Sequence, residues 1–136
     1  MFAIKAEVSD LKAGEFAFDR QKTMYGGKHI ASGDTIFVFA SENEGGPGLI
    51  ARSIVTSAKA IAKRPGILRQ TPCVSIAVRR VALARRLLGR SELRPFSTWN
   101  DGRAETELNF KFYRQATNKI VGLSGATAAF LDRFFS

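Results

Sequence analysis

The chain has 136 residues, and its 21 Lys/Arg against 12 Asp/Glu give a net charge of +9 at pH 7. That length suits one domain, residues 1–136, built on a single core, and 45% apolar residues exclude a disordered polyelectrolyte. One cysteine, Cys73, excludes an intrachain disulfide, and with the lone His29 it leaves too few ligands for a Cys/His zinc site.

In chain order, Phe2 to Val8 sets Phe2 and Ile4 against charged neighbours and predicts a first strand. Ser9 and Asp10 offer N-caps for a short helical turn over Leu11 to Glu15. Gln21 to Ser32 is polar and contains Gly26-Gly27, which predicts a loop or irregular turn. Gly33-Asp34 is a turn signal ahead of Thr35-Ile36-Phe37-Val38-Phe39-Ala40, a β-branched and aromatic run that reads as a buried strand. Glu42 to Gly48 is a Gly/Pro-broken loop, and Leu49 to Thr56 completes a hairpin with it.

The next stretch carries the charge. Residues 59–94 contain ten Lys/Arg against one acid, Glu92, so this ribbon holds +9 and the rest of the chain balances. Within it Val74, Ile76 and Val78 alternate as a strand, and Arg80 to Arg90 reads as its continuation ending in a short turn or helix near Ser91-Glu92-Leu93. Ala82 to Leu88 also suits a helix. Leu108, Phe110 and Phe112 alternate with polar neighbours and predict a further strand, and Ser124 caps a terminal helix through Phe134. Five or more strands without β-α-β alternation predict an α+β protein: a small mixed β-barrel with short peripheral helices and a C-terminal helix.

A chain that is neutral apart from one basic ribbon points to a polyanion, because each cation that neutralises a phosphate releases a counterion. Nucleic acid is the expected partner, and the phosphate-binding candidates are Arg64, Arg69, Arg79, Arg80, Arg85, Arg86 and Arg90. A reader of unpaired bases also needs an aromatic face and polar groups for the base edge. Tyr25, Phe39, Trp99 and Tyr113 are the candidates for the face, and Ser41, Asn43, Asn109, Arg114 and Gln115 for the edge. Phe39 competes with the other ten Phe for the interior, and Trp99 stands in a polar loop where it either binds or caps the barrel. The run Tyr113 to Lys119 reads as a barrel rim or as a solvated turn.

The order of elements resembles the PUA-like superfamily, and within it most of all the EVE and ASCH group. The matching residues are Gly33-Asp34-Thr35-Ile36-Phe37-Val38-Phe39-Ala40-Ser41, then Pro47-Gly48-Leu49-Ile50-Ala51-Arg52-Ser53-Ile54-Val55, the strand of residues 74–78, the pair Glu92-Leu93 and the closing helix. In place of the aromatic and Lys-Ser-Glu residues of the EVE first strand, this chain has Phe2-Ala3-Ile4-Lys5-Ala6-Glu7-Val8. The resemblance implies a PUA-like barrel that binds nucleic acid, RNA favoured, or a modified nucleotide, with a pocket beside the aromatic strand that favours Phe39, Ser41 and Asn43.

Enzymatic signatures are absent: there is no Gly-x-Ser-x-Gly, Walker loop or dinucleotide fingerprint. His29 beside Lys28 reads as surface, and Cys73 after Pro72 as a small buried hydrophobe. One alternative comes from the resemblance, a small ASCH-like hydrolase of a modified nucleoside in which Lys22, Thr23 and Glu42 would take the catalytic roles. Another is a basic subunit that docks on an acidic protein. No cofactor or metal is expected. The N-terminus lacks a signal-peptide core and no apolar run is long enough for a bilayer, so a cytoplasmic protein without a membrane partner is the expectation.

Overall fold

A computed structural model of the chain describes residues 1–62, 65–66, 71–98, 101–115 and 117–136. Six strands close into one barrel in the order β1-β3-β4-β5-β2-β6. They are β1 (Phe2–Ala6), β2 (Glu15–Met24), β3 (Thr35–Ala40), β4 (Gly48–Ala60), β5 (Cys73–Leu83) and β6 (Lys119–Gly122). The barrel is mixed: β1 runs parallel to β3 and antiparallel to β6, β2 runs parallel to β6, and β3-β4-β5-β2 are antiparallel neighbours. The helices are α1 (Arg90–Leu93), α2 (Ala104–Asn109) and α3 (Gly125–Asp132), and α2 runs on into a π-helical turn over Phe110–Arg114.

The alternation of β3 explains why there are two cores. Ile36, Val38 and Ala40 point into the barrel with Ile4, Ala6, Val55, Ile76, Val78 and Ile120. Phe37 and Phe39 point the other way, with Ala3, Leu93, Leu108, Phe112, Val121 and Leu131, into a layer between the barrel wall and the helices. Because both faces are covered, β3 is apolar throughout, as a two-sided buried strand must be. Gly48 starts β4 at φ 90°, and a side chain there would run into the Leu88 carbonyl and Gly89, so only glycine admits this approach.

Strands β1, β3 and β5, the β3–β4 hairpin, the short helix at Ser91-Glu92-Leu93 and the closing helix stand where the sequence places them, except that β5 ends at Leu83 and residues 84–89 are neither its continuation nor a helix. The Oγ of Ser124 accepts a hydrogen bond from the Thr127 amide, capping α3. Three expectations are corrected. Leu11 to Glu15 is no helical turn: Asp10 Oδ1 accepts from the Lys12 amide in a tight turn, and Glu15 already opens β2. The first part of the expected loop Gln21 to Ser32 belongs to β2, where Gln21 and Lys22 pair with Val74 and Cys73 beyond a register shift at Arg20, φ 50°. These residues are polar because this strand has one solvent face.

The third correction is the segment with Leu108, Phe110 and Phe112, which is helical. Leu108 and Phe112, four apart, are fully buried on one face, while Phe110 is half-buried on another. A spacing of four fits two strand periods and one helical turn alike, so these residues satisfy both patterns. Cys73 is half-buried, and His29 is exposed. Among the described residues no helix is long and apolar enough to cross a membrane, and no three His, Cys, Asp or Glu side chains gather as a metal site.

Candidate functional site

The antiparallel pairing of β1 with β6 sets Lys5 directly opposite Lys119. Their neighbours Ile4 and Ile120 point into the barrel, so both lysines point outward, under the helical layer. They are 1% and 0% exposed. Buried ammonium groups survive only when bonded, and the chain around the π turn supplies the acceptors. Lys5 Nζ donates to the Phe112 carbonyl, and Lys119 Nζ donates to those of Gln115 (2.6 Å) and Thr117 (3.1 Å). Burial, and then the neighbouring Lys5 charge, brings the Lys119 amine down to about 8. Burial also lowers that of Lys5, against the pull of Glu42.

From this pair a polar row extends in both directions. Lys5 Nζ lies 4.9 Å from the centre of the Tyr113 ring. The Tyr113 hydroxyl donates to both carboxylate oxygens of Glu42 at 3.1 Å, and burial together with that carboxylate pushes the phenol pKa up, so the group is a fixed donor. Glu42 Oε2 also accepts from the Arg90 amide at 2.6 Å, and Arg90 Nη2 donates to Asn43 Oδ1 at 2.6 Å. At the other end Tyr25, φ 53°, donates its hydroxyl to Gln115 Oε1 at 2.8 Å. The Tyr25 ring meets Phe110 edge-on at 6.1 Å and has Lys111 Nζ 5.0 Å from its centre.

The seam between barrel and helices therefore gathers Tyr25, Asn43, Tyr113 and Gln115 from the base-edge and stacking candidates, together with Glu42 and Arg90. Ser41 ends β3 beside them; it is buried, and its hydroxyl makes no hydrogen bond among the described residues. Phe39 is fully buried against Phe112, ring centres 5.1 Å apart, in the outer core. Asn109 donates to the Phe96 carbonyl at 3.0 Å and ties α2 to the preceding segment. Arg114 is exposed and opens on a cleft of about 280 Å³ on the far side of the π turn. Trp99, Arg64 and Arg69 lie outside the described residues.

The remaining catalytic alternatives are dispersed in use. Thr23 donates its hydroxyl to the Pro72 carbonyl at 2.8 Å, Lys22 is exposed opposite Cys73, and Glu42 spends its carboxylate on Tyr113 and Arg90. The basic ribbon also divides. Arg79 and Arg85 are exposed. Arg80 Nη1 donates to the carbonyls of Lys12 and Ala13, and Arg86 donates to the Arg133 carbonyl at 2.7 Å with its guanidinium 4.5 Å from the Phe134 ring centre. Any phosphate contact of Arg80 or Arg86 competes with these internal ones.

Lys5 and Lys119 belong to the seam without standing out in the sequence. Alternation puts Lys5 on the polar side of β1, and nothing local says that helices cover that side.

No family model and no curated protein matches the sequence. Solved structures do match its shape. The DUF55 domain of human thymocyte nuclear protein 1 superposes with a TM-score of 0.64 at 15% identity, covering 95% of this chain and 94% of that one. A protein from Pseudomonas putida gives 0.65 at 14% identity, over 98% and 97%. The human THYN1 protein in complex with 5-methylcytosine containing DNA gives 0.64 at 16% identity, over 95% and 93%. The chain shares the fold of these structures, a PUA-like mixed six-stranded barrel. In this PUA-like barrel the polar row occupies the boundary between the outer face of β1 and β6 and the α2–π helix.

Proposed function

We propose that the chain is a nucleic-acid-binding module that takes one base at the seam and holds the backbone with exposed cations. The observation that carries this reading is the continuous row Tyr25–Gln115–Lys119–Lys5–Tyr113–Glu42–Arg90–Asn43. It combines fixed donors (two ammonium groups, two phenols, a guanidinium) with fixed acceptors (a carboxylate and two amide oxygens), the equipment for reading a base edge. Tyr25, 38% exposed, offers a ring for stacking at one end, and the unpaired hydroxyl of Ser41 offers a further contact near the other. Arg79 and Arg85 meet phosphates, which positions the strand, while the seam, Arg90 included, specifies the base. A structural neighbour in complex with 5-methylcytosine DNA supports a modified base as ligand, and the resemblance to the PUA-like group favours RNA; the two are separated by the same titration.

Fluorescence anisotropy with matched single- and double-stranded RNA and DNA, each with and without 5-methylcytosine, across a salt series is the test. Binding falls steeply with salt, because counterions are released from the phosphates. Tyr113→Phe reduces the preference between modified and unmodified ligands by about five- to tenfold and leaves the salt slope unchanged. Absence of binding to all ligands at low salt overturns the reading.

A further inference from the structure

We propose that the cleft on the opposite side of the α2–π helix is a second subsite, which takes an unstacked base flanking the seam base in a single strand; it rests on the nucleic-acid reading above. Arg103, Thr106, Glu107, Phe110 and Arg114 line one wall, at helical spacings of three and four, and Phe96 to Thr98 line the other. The volume, about 280 Å³, lies at the small end of ligand pockets. It admits one flat ring with its sugar and not an extended cofactor.

The chemistry of the walls selects the class. Phe96 and Phe110 give an apolar interior suited to a π-system. Ser97 and Thr98 are exposed hydroxyls within reach of a base edge. Arg103 and Arg114 are exposed, and neither forms an ion pair among the described residues. Glu107 is already bonded to Ser124, Thr127 and Lys111, so it is a fixed wall and not a competing anion. Apolar walls with two free guanidinium groups fit an anion carrying a planar ring, which is a nucleotide.

The cleft and the seam share one turn of chain. Arg114 of the cleft precedes Gln115 of the seam, and Phe110 of the cleft packs on Tyr25 of the seam. They lie on two sides of one helix, whose diameter with side chains is roughly 10–12 Å. At the 3.4 Å rise of stacked bases that span is at most about three nucleotide steps, and an unstacked strand covers it in fewer. A duplex cannot place stacked bases on both sides of a helix, so the strand must be single or opened.

The experiment is an anisotropy titration with fluorescein-labelled single strands of two to eight nucleotides, and with eight-mers in which one abasic site is walked along the strand. Wild type gains affinity up to about four nucleotides and then levels off. Two abasic positions, about one to three apart, each cost about tenfold. Arg103→Glu/Arg114→Glu abolishes the penalty at one of them and keeps it at the other. Ser97→Phe, which fills the cleft without changing its charge, does the same. A uniform response to the abasic walk, or variants that change nothing, overturns the subsite and leaves the seam standing. Free mononucleotide that competes as well as the four-mer assigns the cleft to a diffusible nucleotide and overturns the strand path. Failure of wild type to bind any strand overturns both.

Discussion

Lys119 links a single side chain to a measurable pH effect. Its amine titrates near 8 in the folded protein, against 10.5 for an ordinary lysine. Between those values the unfolded chain holds a proton that the native one has released, so stability rises with pH through this window. The full gain is at most on the order of 3 kcal/mol. Urea midpoints measured at pH 7.5 and 10.5 therefore increase for wild type, and the increase shrinks in Lys119→Met; an unchanged increase would assign the effect elsewhere. The same residue shows where local reading stops. A lysine at a strand's outward position is ordinarily solvated, and only the helices laid over β1 and β6 turn it into a buried donor.

At the level of elements, Glu107 joins α2 to α3. Its carboxylate accepts from the Ser124 amide (3.2 Å), the Ser124 hydroxyl (2.8 Å) and the Thr127 hydroxyl (2.9 Å), and pairs with Lys111 at 3.2 Å. Burial works to raise its pKa, but these donors outweigh it and hold the carboxyl below the ordinary 4.5. The stability this provides is complete above that value and is lost as the pH falls through the lower, folded one. Glu107→Gln should cost about 2 kcal/mol at neutral pH, and the difference from wild type should narrow at pH 3, as read by urea denaturation. Ser124→Ala removes the cap of α3 as well and should cost about 1 kcal/mol or somewhat more. None of this tie is visible in a strand reading of Leu108 to Phe112. The alternation there is real, and the deciding feature is that Leu108 and Phe112 share one buried face across a helical turn.

For the molecule as a whole, the ribbon of positive charge is two populations. Arg80 and Arg86 brace the barrel through backbone carbonyls, whereas Arg79 and Arg85 stand in solvent. Arg80→Ala should lower the melting temperature by several degrees, corresponding to about 1–2 kcal/mol. Arg79→Glu/Arg85→Glu should leave it unchanged while weakening all nucleic acids alike. The salt slope should fall by about one for each phosphate that is no longer neutralised. A melting shift in the double variant, or a change in ligand preference, would move those residues out of the phosphate-binding class.

The division between sequence and tertiary structure follows the range of the forces involved. The strands with two-residue periodicity, the Gly/Pro-broken hairpin, the Ser124 cap and the placing of the excess charge were determined locally, because backbone propensity, turn chemistry and capping act over a few residues. Closure decided the rest. The polar β2 and the four-residue β6 become strands because the barrel needs partners for β5 and β1, and hydrogen bonding of their exposed edges outweighs weak local preference. The seam exists only after that closure: Lys5 and Lys119 are 114 residues apart in the chain, and strand pairing alone sets them face to face.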